Sequence, residues 1–143
     1  MTAANFCGQH KKPILVHSEL MTETEVKDRL EISYRGVPST SYHAHLNSRP
    51  LEWERAAVEV VCQAASYCHM HVVHLSDSGC LDTIRTTKID PNKQISIETC
   101  PHYLLLDSSM ISDGNTRLKC FPPIRDATNR ERLIGGWREG LIF

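Results

Sequence analysis

Two histidines close short apolar runs in this chain, Pro13-Ile14-Leu15-Val16-His17 and His71-Val72-Val73-His74-Leu75. Imidazoles at adjacent strand ends can converge on one ion, because each neutral ring offers a lone pair that a divalent cation such as zinc accepts. A histidine at a strand end is more commonly a hydrogen-bonded structural residue, so the metal reading needs a fold that brings the two rings together. His43-Ala44-His45 has a chelating spacing if it lies on a strand. It precedes a helix start at Ser48-Arg49-Pro50, however, and reads as a solvated pair in a loop. His69 and His71 flank Met70 ahead of His74, and one of them is expected to be structural. The six cysteines, at 7, 62, 68, 80, 100 and 120, form no Cys-x-x-Cys pair and read as reduced thiols that behave as small hydrophobes. The sequence contains no serine nucleophile elbow, phosphate loop or HExxH motif.

The elements that must position these residues alternate between strand and helix. Residues 13–17 form an aliphatic run after a turn-forming proline, the pattern of a strand buried on both faces in a parallel sheet. A charged helix is expected from Thr22 to Leu30, followed by a loop through Gly36 and Pro38 to Asn47. Ser48 then caps a helix with Pro50 in its first turn and Glu52 and Glu54 near the positive end of its dipole. Trp53, Ala57, Val60, Val61, Ala64 and Cys68 recur at helical spacing and give it one apolar face. A second strand at 71–75, a helix from about Gly79 to Lys88, a turn at Asp90-Pro91-Asn92 and a third strand at 95–100 complete a βαβαβ order. An irregular piece leads to a last helix, from about Asn129 to Gly140, with Gly135-Gly136 in its interior. A further strand is expected to start at Leu141-Ile142-Phe143. Such an order builds a parallel sheet with helical crossovers, whose ligand site lies at the carboxyl ends of the strands. His17, His74 and the stretch from Glu98 to His102 all fall there.

With 143 residues the chain has the length of one ordinary domain, and 16 basic against 17 acidic residues leave a formal charge of −1. That balance excludes the basic face that nucleic acid requires. No stretch approaches the roughly 18–20 apolar residues of a membrane span, and the first residues lack the apolar core of a secretory signal. The expectation is a folded intracellular protein, cytoplasmic or organellar, with no membrane or nucleic-acid partner.

Five blocks, in this order, resemble the allantoinase family of cyclic amidohydrolases. They are Leu15-Val16-His17-Ser18-Glu19, Asn47-Ser48-Arg49-Pro50-Leu51-Glu52-Trp53-Glu54, His71-Val72-Val73-His74-Leu75-Ser76, Glu98-Thr99-Cys100-Pro101-His102-Tyr103-Leu104 and Lys119-Cys120-Phe121-Pro122-Pro123-Ile124-Arg125-Asp126. The histidine and PP-I-R elements are shared with hydantoinases and dihydroorotases, and the others look like allantoinase in particular. The resemblance implies residues 1–143 as a single partial catalytic domain, covering about strands 5 to 7 of a metal-dependent TIM barrel that this chain does not close. In that family a binuclear site, usually zinc, is bridged by a carboxylated lysine and a hydroxide. The hydroxide opens the hydantoin ring of allantoin to allantoate. His17 matches the family's fifth-strand metal ligand and His74 its sixth-strand ligand. Cys120 and Phe121 match the segment whose backbone touches the substrate ring, and 98–103 matches a pocket wall.

The departures from the family are specific. The first-strand HxH and the bridging lysine have no counterpart, and the aspartate that acts as general base is expected beyond Phe143. Ser18 stands where the family usually has alanine, Phe121 where it has a small residue, and Gly135-Gly136 where it has good helix formers. The isolated chain is accordingly expected to be inactive and to hold zinc loosely. The alternatives are a non-catalytic product that self-associates or binds full-length subunits, and another cyclic amidohydrolase such as a hydantoinase or dihydropyrimidinase.

Overall fold

A computed structural model describes residues 2–143. Three short strands, β1 (Ile14–Val16), β2 (Met70–Val72) and β3 (Ile95–Ile97), form one parallel sheet in the order β1-β2-β3. The register aligns Leu15 with His71 and His71 with Ser96. Sequential order without reversal is the arrangement of a barrel segment, whereas a doubly wound sheet reverses direction. The expected βαβαβ order is therefore present, with strands shorter than the apolar runs. Single backbone bonds continue past them, from Val73 N–H to the Val16 carbonyl (3.2 Å) and from Leu75 N–H to the Glu98 carbonyl (2.8 Å).

Seven α-helices accompany the sheet among the described residues: α1 (Ala3–Gln9), α2 (Glu23–Tyr34), α3 (Tyr42–Asn47), α4 (Leu51–Ala64), α5 (Leu81–Lys88), α6 (Pro101–Leu105) and α7 (Ala127–Arg138). Helix α2 runs one turn past Leu30 and begins with a capping box, in which Thr22 and Glu25 satisfy each other's backbone N–H groups. Helices α1, α3 and α6 have seven, six and five residues, too short for a period to stand out in sequence. None of the helices among the described residues is long and apolar enough to cross a membrane.

The core lies on one side of the sheet. Met70, Val72 and Ile97 are buried there, Ile14, Val16 and Ile95 partly so, against Val58, Val61 and Cys62 of α4, Ile84 of α5 and Leu133 of α7. The other side is open at β1, where Leu15 is 64% exposed. Burial of β1 on both faces, the expectation from its aliphatic run, is thus corrected. Leu15 is apolar and yet points to the open side. All six cysteines are free among the described residues.

Three other expectations change. Ser48 does not cap α4; it ends α3, its hydroxyl donating to the His45 carbonyl at 2.7 Å, and Pro50 takes the cap position of α4. The apolar face of α4 is also rotated. Val58 is 1% exposed and Val60 54%, because the buried rows are 53-57-61 and 54-58-62. Helix α7 starts earlier than Asn129, capped by Asp126, which accepts from Asn129 N–H at 2.8 Å. At the carboxyl end Phe143 N–H donates to the Ile97 carbonyl (3.1 Å) and the Phe143 carbonyl accepts from Thr99 N–H (2.8 Å). Residue 143 thereby pairs along the free edge of β3, as expected for the start of a further strand.

Candidate metal and ring-binding site

The turn that leaves β1 passes through Ser18 at φ +59°, and the turn that leaves β2 passes through His74 at φ +45°. L-residues adopt this left-handed conformation at a cost, and it clusters at functional sites. Both residues lie just past the carboxyl ends of adjacent strands. Their placement brings His17 Nδ1 to 3.0 Å from His74 Nε2, with the rings edge to face at 72°.

Two nitrogens held by one tetrahedral zinc at about 2.0–2.1 Å each would stand about 3.4 Å apart. The observed 3.0 Å is within a few tenths of that separation. Burial pulls His74 below the ordinary imidazole value, which favours the neutral ring that coordinates metal. His74 Nδ1 is buried without a hydrogen-bond partner among the described residues. These two imidazoles fit a divalent cation that accepts nitrogen donors, although no cluster of three or more ligating side chains occurs among the described residues.

A carboxylate stands behind the pair. Glu19 Oε2 accepts from His17 Nε2 at 2.9 Å and from Arg49 Nη1 at 3.1 Å, with its side chain 1% exposed. Leu20 N–H donates to the Trp53 carbonyl at 2.9 Å and fastens this segment to the first turn of α4. The Arg49 guanidinium also lies over the Phe121 ring, 4.6 Å from its centroid. One arginine therefore joins the histidine pair to the segment carrying Cys120 and Phe121.

That segment is pinned by aromatic residues. His45 Nε2–H donates to the Cys120 carbonyl (3.1 Å) and the His45 ring meets Phe121 edge-on, with centroids 5.0 Å apart. The Tyr103 hydroxyl donates to the Pro122 carbonyl (2.6 Å), and the Tyr42 hydroxyl both donates to the Ile124 carbonyl (3.1 Å) and accepts from its N–H (3.0 Å). Burial pushes the Cys120 thiol up, so it stays a neutral thiol. Phe121 is half exposed and presents an aromatic face at this end of the sheet.

Sequence reasoning placed His43 and His45 together in a loop. The structure puts them on α3, where residues two apart point to opposite sides. His45 is buried, while exposed His43 Nε2 accepts from Asn47. His69 and His71 both reach the Ser96 hydroxyl, at 2.8 Å each, and His71 Nε2 lies 3.3 Å from Glu98. Residues 101–103 of the expected pocket wall lie in helix α6, and His102 Nε2 is buried there without a partner among the described residues. Glu19 and Arg49 were not singled out from sequence, and His45 was read only as half of a solvated loop pair. The available signal was the carboxylate two residues after a strand-closing histidine.

No protein-family model matches the chain. It is 39% identical over 145 aligned positions to an allantoinase of Arabidopsis thaliana, and 34% over 138 to an allantoinase of Bacillus velezensis. These alignments take in 94% and 95% of this chain but 28% and 29% of the relatives, so the chain spans under a third of their length. Among solved structures, a D-hydantoinase superposes with a TM-score of 0.81 at 24% identity, over 97% of this chain and 30% of that one. The L-hydantoinase (dihydropyrimidinase) from Arthrobacter aurescens gives 0.81 at 21%, over the same shares. The similarity to allantoinases read from the five blocks thus extends along nearly the whole chain. The fold is shared with about a third of the length of each of those hydantoinase chains, as an α/β segment with an unclosed sheet.

Proposed function

We propose that this chain is a segment of an allantoinase, with β1, β2 and β3 as strands 5 to 7 of its barrel and residues 1–143 as one partial catalytic domain. The observation that carries the reading is the pair of facing imidazoles, His17 Nδ1 and His74 Nε2 at 3.0 Å, at the ends of adjacent parallel strands. His17 and His74 would hold zinc, which when bound polarises a ring amide carbonyl and acidifies water. This chain's own residues do the positioning. Glu19 and Arg49 orient His17, and the pinned backbone at Cys120 and Phe121 lines the place of the substrate ring. Allantoin is the proposed substrate of the complete protein, opened to allantoate.

The test is direct. Purified 143-residue chain with added zinc is expected to form no allantoate, and formation of allantoate would overturn the reading of the chain as an incomplete site. In a completed barrel carrying this segment, allantoin should be preferred over dihydrouracil, and His17→Ala or His74→Ala should reduce turnover to background. A preference for dihydrouracil would replace allantoinase by dihydropyrimidinase.

A second reading, association with full-length subunits or with itself, is favoured by one observation. Leu15 and Phe143, at 64% and 62% exposure, leave apolar surface on the open side of the sheet. A monomer by sedimentation at high concentration would remove it.

A further inference from the structure

We propose that Glu19 is a positioning residue of this site: its buried carboxylate, braced by Arg49, fixes the His17 ring with Nε2–H turned inward and Nδ1 presented beside His74 to a divalent cation. The inference rests on the reading of His17 and His74 as a ligand pair and deepens it.

A carboxylate only accepts hydrogen bonds, so the ring atom facing Glu19 Oε2 at 2.9 Å must carry the proton. The lone pair of a neutral ring then lies on Nδ1, the atom that faces His74 Nε2. The carboxylate cannot swing away. Its side chain is enclosed to 1% exposure, Arg49 Nη1 holds the same oxygen at 3.1 Å, and the neighbouring Leu20 N–H is bonded to the Trp53 carbonyl.

The second oxygen, Oε1, is buried and has no partner among the described residues. A purely structural carboxylate buried this deeply would be expected to use both oxygens, because an unsatisfied buried acceptor is costly. Here one oxygen takes both donors, and the geometry serves the ring. Ser18 at φ +59° adds to this, since its left-handed turn returns the chain so that residue 19 lies against the ring of residue 17. Carboxylates hydrogen-bonded to ligating histidines set tautomer and ligand basicity, and their loss typically lowers metal affinity 10–100-fold. His74 has no such support, its Nδ1 being without a partner among the described residues. The two rings are therefore unequal, one preset and one free to adjust.

The experiment uses the 143-residue chain with cobalt(II) alone as probe, read by its visible absorption, and long-range proton–nitrogen NMR of the metal-free chain to assign the His17 tautomer. The expected result is an Nε2–H tautomer at His17 and cobalt binding that His17→Ala and His74→Ala each remove. Glu19→Ala should weaken cobalt binding roughly 10–100-fold and mix the His17 tautomers. Glu19→Gln, which keeps an acceptor oxygen, should recover most of both. Cobalt binding that survives both histidine variants removes the ligand reading and this inference with it. Cobalt binding lost in those variants but unchanged in Glu19→Ala, with the tautomer unmoved, removes this inference alone. A Glu19→Gln variant no better than Glu19→Ala in both measurements also overturns it.

Discussion

The two faces of the three-stranded sheet are built on opposite rules. On the helix side the alternate residues Ile14, Val16, Met70, Val72, Ile95 and Ile97 pack into a continuous core with α4, α5 and α7. On the open side the row Leu15, His71, Ser96 carries one exposed leucine and a cluster of polar groups, with His69 and His71 sharing the Ser96 hydroxyl. Because side chains alternate across a strand, the same nine residues serve both faces. The apolar core is concentrated on the helix side, and the proposed ligand pair sits at the ends of the strands. A sheet of this kind can keep its core while the surroundings of its site are altered, provided the two faces are energetically independent.

That independence can be broken or sharpened by experiment. The largest effect is expected on the helix side: Ile97→Ala, at a fully buried position, should cost about 2–5 kcal/mol by urea denaturation. Within α7 the two adjacent glycines divide the same way. A Cβ on Gly136 would stand 2.9 Å from Leu81 Cδ2 in the core, whereas one on Gly135 meets nothing within 4 Å among the described residues. Gly136→Ala should therefore destabilise by about 1–3 kcal/mol, less the helix gain, and Gly135→Ala should stabilise by up to about 1 kcal/mol. Reversal of that order in thermal melts would mean that α7 is not seated on α5.

Acid should act at the site end of the molecule. Burial holds His45 below the ordinary imidazole value of 6.5, with its hydrogen bond to the Cys120 carbonyl opposing the shift. A folded value below the unfolded one means that the contribution is complete above pH 6.5 and is lost as pH falls through the folded value. The urea midpoint should drop between pH 7 and pH 5, and His45→Gln should flatten that drop. An unchanged slope would assign the acid sensitivity to His74 and His102, which burial also lowers. The smallest effect belongs to the open face. Leu15→Ala should change stability by no more than about 0.5 kcal/mol. A loss comparable to that of Ile97→Ala would show that this face is covered in solution.

The strand-helix alternation was legible because Val, Ile and Leu runs and the α4 period carry strong signals. The one-sidedness of the sheet was not, since Leu15 is apolar in type and only the missing cover reveals its exposure. Ser48 misled for a related reason: a capping residue type followed by proline reads as a helix start, and α3, six residues long, gave no period to show that Ser48 ended another helix. His17 and His74 were identifiable as strand ends. Their meeting depends on the left-handed turns at Ser18 and His74, which residue type does not announce. Glu19 and Arg49 come together from 30 residues apart, a separation that no local pattern encodes.

The loop that follows β2 has the makeup of a flexible connection, Ser76-Asp77-Ser78-Gly79, yet the N–H groups of Ser76, Ser78 and Gly79 and the Ser76 carbonyl each have a side-chain partner. The buried Glu54 carboxylate accepts from Ser76 N–H (2.7 Å) and from its hydroxyl (2.6 Å). Asn129 Nδ2 donates to the Ser76 carbonyl, Asn129 Oδ1 accepts from Ser78 N–H, and Asp77 accepts from Gly79 N–H, all at 2.7 Å. Amides in such a loop exchange with deuterium on the timescale of the surrounding helices rather than within seconds. An exchange map of this chain would therefore show a slow patch beside His74, where an ordinary surface loop shows a fast one.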